Sequence, residues 1–196
     1  MAITLEKKGD SHQIDLSKNT TRQLIVKINL NWNQNKSFFA KFMGNNTPDL
    51  DLGCMYETVD GLKGVIQPLG RKFGSKDNPP YIFLDKDDRT GAAKDGENMT
   101  IYRPEMIKRV LLFASIYRGA KDFQSVDGRM TFQISNGEQV HVRLNNRDRT
   151  HPFCAAAMIS NIGSQVKITK EERYFPGHEP ADKYYKFGFR WRPGFK

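Results

Sequence analysis

Residues Gln23 to Leu30 read Gln-Leu-Ile-Val-Lys-Ile-Asn-Leu, with Leu24, Val26, Ile28 and Leu30 at every second position. A repeat of two places those four side chains on one face of an extended strand. The same pattern returns in Gln139 to Leu144, where Val140, Val142 and Leu144 alternate, and in Val166 to Glu172. Lys186 to Trp191 is expected to close the series as a strand with one buried face. Val110 to Ile116 is almost continuously apolar, as in a strand covered on both sides. Asp60-Gly61 and Asn136-Gly137 lie between such runs and suit tight hairpins, because both residues of each pair tolerate positive φ. Asp127-Gly128 marks a further turn. Long segments with a 3.6-residue period are absent. Many short strands with this punctuation indicate an all-β domain, either a sandwich or a barrel.

Two segments depart from the pattern. Phe153 to Asn161, Phe-Cys-Ala-Ala-Ala-Met-Ile-Ser-Asn, is alanine-rich and reads equally as a helix or a buried strand. Pro104 to Arg109 suits a helical turn, since proline fits the first helical position. Gln67 to Pro80 and Asp85 to Asn98 are long connections, of a length that often carries function.

The chain has 196 residues, which suits one domain over 1–196 with a core large enough to need no staple. Its two cysteines, Cys54 and Cys154, are a hundred residues apart, which is neither a disulfide framework nor a zinc spacing. They read as small buried hydrophobes. The opening Met1 to Lys7 lacks a basic region followed by an apolar run, and no stretch approaches the ~18 apolar residues of a membrane helix. A cytoplasmic location is the resulting expectation. The net charge of +9 is uneven: residues 1–102 carry +1 and residues 103–196 carry +8. The basic second half suits either an anionic partner, a membrane surface or nucleic acid, or a solvated face.

The stretch most informative about function is Asp85 to Glu97, with five carboxylates in thirteen residues and Thr90, Gly91 and Gly96 among them. Calcium takes six to eight oxygens from carboxylates, carbonyls and water, and glycines let a loop curl so that such oxygens converge. The order is not that of an EF-hand: counted from Asp85, Arg89 falls at position five, Thr90 at six and Gly96 at twelve. Lys86, Arg89 and Lys94 offset part of the negative charge. Asp49 and Asp51 stand two residues apart in Asp49-Leu50-Asp51-Leu52. On a strand they share one face, with Leu50 and Leu52 turned to the core. Two like charges on one face call for something positive between them, whether a metal ion or a basic side chain.

Elements of conventional catalysis are missing. His12, His141, His151 and His178 are scattered without metal spacing and read as surface or hydrogen-bonded residues. Gly61 to Gly74 lacks the order of a phosphate-binding loop. The expectation is a binding protein, not an enzyme, and no small-molecule substrate is identified.

Asp49-Leu50-Asp51, followed by Asp87-Asp88-Arg89-Thr90-Gly91, resembles the tellurium-resistance TerD/TerA family of bacterial stress proteins. The opening Ile3 to Gly9, Asp15 to Lys18, the strand Leu24 to Trp32, Val110 to Tyr117, Phe123 to Val126, Ala156 to Met158 and Tyr185 to Phe187 are similar to that family in order and spacing. The section Asp49 to Tyr81 looks closer to the TerA branch than to TerD. The resemblance implies a β-sandwich of two mostly antiparallel sheets, with long loops at one end and at most one or two short helices. It also implies calcium at that end, held by Asp49, Asp51, Asp87, Asp88, Thr90, Gly91, Asp95 and Glu97. Ala92 and Lys94 stand where the family tends to carry acidic residues, which weakens such a site because affinity follows ligand charge. The partners it implies are other proteins of a stress-response complex. Two alternatives stand beside this reading. One is a metal-free interaction subunit in which Lys86, Arg89 or Lys94 neutralises the aspartates. The other is an anionic-surface binder using the basic half.

Overall fold

The computed structural model describes residues 1–16, 23–33, 47–85 and 96–192. Twelve strands precede one helix: β1 Ala2–Leu5, β2 Ser11–Asp15, β3 Val26–Asn31, β4 Asp49–Thr58, β5 Lys63–Ile66, β6 Ile82–Leu84, β7 Glu97–Ile101, β8 Ile107–Arg118, β9 Gly128–Ile134, β10 Gln139–Leu144, β11 Phe153–Asn161, β12 Gln165–Phe175 and α1 His178–Tyr185. They form two six-stranded sheets, ordered β1-β10-β9-β3-β7-β6 and β2-β12-β11-β8-β4-β5. Every pairing is antiparallel except β1 with β10. The architecture is the expected all-β sandwich.

Alternation builds the core between the sheets. Val26, Ile28 and Leu30 of β3, with Met130 and Phe132 of β9 and Val140 and Val142 of β10, face Leu50, Leu52 and Cys54 of β4 and Val110 and Leu112 of β8. The two cysteines are free and buried there, as small hydrophobes. Both expected hairpins form, β4–β5 around Asp60-Gly61 and β9–β10 around Asn136-Gly137.

The second sheet is covered on both faces, and this explains its least polar strands. Leu111 and Phe113 of β8, Met55 of β4, and Phe153 and Ala155 of β11 point away from the first sheet. They pack in a second cluster with Phe175, Ala181 and Phe187. Phe153 to Asn161 is therefore a strand, not a helix: it pairs with β8 on one side and β12 on the other. Pro104–Met106 makes one 3-10 turn. Gly53 lies against the Phe113 ring, where an added Cβ would stand 2.3 Å from a ring carbon. Gln67 to Pro80 is tied to β6 by a bridge between Gly74 and Phe83.

Two expectations are corrected. Lys186 to Trp191 is not a strand, and Tyr185 to Phe187 is not a closing strand. Tyr185 ends α1, Lys186 takes a left-handed conformation with φ 57°, and the chain continues as irregular backbone unpaired with any sheet. The physical reason is Asp182, which is buried. Its carboxylate accepts the backbone N–H groups of Gly188 and Phe189 at 2.8 Å each and the indole N–H of Trp191 at 2.9 Å. Those donors are taken locally and no ladder forms. The alternation itself is genuine, since Phe187, Phe189 and Trp191 all pack on the second cluster. His178 is the other correction: it is neither a surface nor a hydrogen-bonded histidine. Its ring sits 4.9–5.2 Å from the rings of Phe153, Phe113 and Trp191, and its Nε2 is buried without a hydrogen-bond partner. Burial depresses its pKa from 6.5 to about 4.

Candidate functional site

β4 begins at Asp49, and its entry is fixed by the Trp32 indole N–H, which donates to the Pro48 carbonyl at 3.0 Å. Leu50 and Leu52 are fully buried between the sheets, and this turns Asp49 and Asp51 to the opposite face as the alternation requires. Asp51 is only 2% exposed, whereas Asp49 is partly open. Against β8 the register shifts at this point: Leu50 pairs with Ile116 and Asp49 with Arg118, leaving Tyr117 as an extra residue. Such a bulge re-aims side chains at the end of a sheet. Here it sets the Arg118 guanidinium 3.5 Å from the Asp49 carboxylate.

The two stems of the acidic loop end at the same end of the sandwich. Asp85 follows β6 and its N–H donates to the Asn98 carbonyl at 2.9 Å. Gly96 enters β7 with φ 73°, where an added Cβ would lie 2.1 Å from the Leu30 carbonyl oxygen, so only glycine passes. Glu97, the first residue of β7, reaches from the first sheet to the second: its carboxylate accepts the backbone N–H of Leu52. Asp49, Asp51 and Glu97 are thus brought to one end, although some fifty residues separate them in the chain. Asp87, Asp88, Thr90, Gly91 and Asp95 lie outside the described residues, as do Lys86, Arg89, Ala92 and Lys94. Among the described residues no three His, Cys, Asp or Glu side chains gather as a metal cluster.

Sequence reasoning missed Arg118. No local signal marks it, since its contact with Asp49 arises only from pairing β4 with β8. It also missed an ionic network around the buried Glu57 at the far end of β4. Glu57 accepts hydrogen bonds from Lys108 and Arg109 at 2.8 Å each, and Lys63 lies 3.9 Å away. The Lys108 bond leads in holding the Glu57 carboxyl below the usual carboxylate range, and with Arg109 it outweighs the opposing effect of burial. Arg109 also donates to the carbonyls of Tyr185 at 2.7 Å and Lys186 at 3.0 Å, and its guanidinium lies 4.1 Å from the centre of the Phe187 ring. A cation on the last carbonyls of a helix complements its dipole. This network fastens the C-terminal segment and has the character of a structural anchor.

A curated relative, the tellurium resistance protein TerA of an Alcaligenes species, is 36% identical over 87% of this chain. The chain belongs to the TerA/TerD family. No family model matches it. The aligned region covers 52% of that relative, so the chain spans about half the length of the TerA protein it matches. The family assignment agrees with the β-sandwich seen here. No helix among the described residues is long and apolar enough to cross a membrane.

Proposed function

We propose that this TerA/TerD-family chain is a non-enzymatic binding protein in resistance to tellurite or a related stress, with a calcium site at the acidic end of its sandwich. The observation that carries the reading is the hydrogen bond from Leu52 N–H to the Glu97 carboxylate, which ties the Asp49–Asp51 strand to a stem of the acidic loop. The donors present fit a hard cation in kind, since Asp49, Asp51 and Glu97 offer only carboxylate oxygens. The residues we assign to the ion's site are Asp49, Asp51, Asp87, Asp88, Thr90, Gly91, Asp95 and Glu97. Calcium would supply positive charge that gathers these carboxylates into one rigid surface, to be read by another protein of a stress-response complex. Ala92, Lys94 and the neighbouring Arg118 all lower the expected affinity.

The test is calorimetric titration of calcium into chelator-treated protein, with magnesium and an Asp49→Ala/Asp87→Ala variant as controls. Saturable heat that vanishes in the variant supports the site. No heat up to millimolar calcium sinks it. A second reading, a metal-free interaction subunit, is favoured by the Arg118–Asp49 contact, in which a basic side chain already takes the place of an ion beside one aspartate. Under that reading calcium leaves the protein unchanged, and partner binding is insensitive to chelator.

A further inference from the structure

The outer face of the first sheet has a character of its own. Ile28 and Met99 turn to the core, so Lys27 and Asn29 of β3 and Asn98 and Thr100 of β7 turn outward. Register sets Asn29 opposite Asn98, and sets Lys27 between Thr100 on one flank and Gln133 of β9 on the other. With Asp85 these side chains line a cleft of about 470 Å³, within the range that holds a small organic ligand. Glu97 points the other way, toward β4, so of the acidic stretch only Asp85 lines this cleft.

The chemistry of the lining selects among ligands. Asn29 donates to the Asn98 side-chain oxygen at 2.9 Å, and this fixes the orientation of both amides. Asparagine, glutamine and threonine side chains each present a donor and an acceptor. A fully ionised oxyanion only accepts: it could use Lys27 and the amide N–H groups, but it has no proton to offer the amide oxygens and is repelled by the Asp85 carboxylate. An apolar ligand would strip water from these groups without replacing it, at about 1–3 kcal/mol for each. A hydroxyl both donates and accepts, and so matches both halves of each amide. Lys27 and Asp85 carry opposite charges and leave the cleft close to neutral. Phe83 of β6, half-buried, stands opposite Thr100 in register. We propose that this cleft, formed by Lys27, Asn29, Asp85, Asn98, Thr100 and Gln133, binds a neutral polyhydroxylated ligand of the saccharide class.

The experiment is an amide chemical-shift titration of the full chain with maltose, cellobiose and N,N′-diacetylchitobiose, and with inorganic pyrophosphate as the contrasting probe. Each is taken to about 50 mM, enough to detect a Kd of about 10 mM. The expected result is saturable shifts at Lys27, Asn98, Thr100 and Gln133 with at least one disaccharide. Gln133→Ala and Asn98→Ala should each weaken that binding about fivefold, the effect of one lost hydrogen bond, at an unchanged thermal midpoint for the exposed Gln133. No saturable shift with any saccharide, shifts confined to other surfaces, or a cleft that answers to pyrophosphate alone would each overturn the proposal.

Discussion

Arg118 and His178 are the residues whose environments make the sharpest predictions. The Arg118–Asp49 pair is partly open to solvent, with side chains 54% and 26% exposed, so its contribution to stability is small, about 0–1 kcal/mol. Its electrostatic effect on a nearby cation is larger in relative terms. Arg118→Ala should therefore raise calcium affinity several-fold in the calorimetric titration while moving the urea midpoint little. An unchanged affinity would place the ion away from Asp49. His178 gives a pH dependence whose sign follows from burial. Its folded pKa of about 4 lies below the ordinary 6.5, so between these values the unfolded chain binds the extra proton. The stability it contributes is full above about pH 6.5 and is lost as pH falls toward 4, amounting to at most about 3 kcal/mol. Urea unfolding at pH 7 and at pH 4.5 should show that loss, and His178→Phe should shrink it. An equal slope in the variant would assign the acid sensitivity to other groups.

At the scale of elements, the second sheet depends on two close fits. β4 approaches β8 through Gly53, which has the Phe113 ring where a methyl group would go. Gly53→Ala must displace that ring or the strand, and overpacking of this kind costs about 1–3 kcal/mol. Chemical denaturation will read this as a lower midpoint, and a neutral effect would mean that the ring moves freely. The C-terminal strap depends on Asp182, whose two oxygens accept three N–H groups. Asp182→Asn puts an NH2 group against donors on one side and should loosen the strap without unfolding the sandwich. In a Trp32→Phe background the Trp191 emission should shift to the red and the tail should become the first site of limited proteolysis. An unaltered spectrum would show that packing of Phe187 and Trp191 alone holds the strap.

For the molecule as a whole, part of the charge excess of the second half is met by two acids of the first, Glu57 and Asp49. Lys108 and Arg109 are engaged by Glu57, Lys170 by Glu172, Arg118 by Asp49, Arg129 by Asp127 and Lys183 by Glu179. Lys170 is itself buried and also donates to the Glu6 carbonyl at 3.0 Å. Folding distributes these paired cations over β8, β9, β12 and α1. Sedimentation with vesicles rich in anionic lipid should show association only at low ionic strength, released by about 0.15 M salt, where the Debye length falls to about 8 Å. Retention well above that salt concentration would restore the membrane reading.

The sequence by itself determined several of the strands, among them β3, β8, β10 and β12, which of their faces are buried and where two hairpins turn. Those features are local: a repeat of two in Leu24 to Leu30, an unbroken apolar run in Val110 to Ile116, Asp-Gly and Asn-Gly at Asp60 and Asn136. Local pattern also set Asp49 and Asp51 on one face. Tertiary structure alone decided what each face meets. Alternation in Lys186 to Trp191 reported a buried side, but only Asp182 and the outer face of the second sheet decided that the segment is a strap and not a strand. Likewise, nothing within ten residues of Asp49 names Arg118, and nothing near Glu97 names Leu52. Periodicity encodes the direction of a side chain, whereas its partner depends on the order of strands in a sheet, which is set by contacts between segments far apart in the chain.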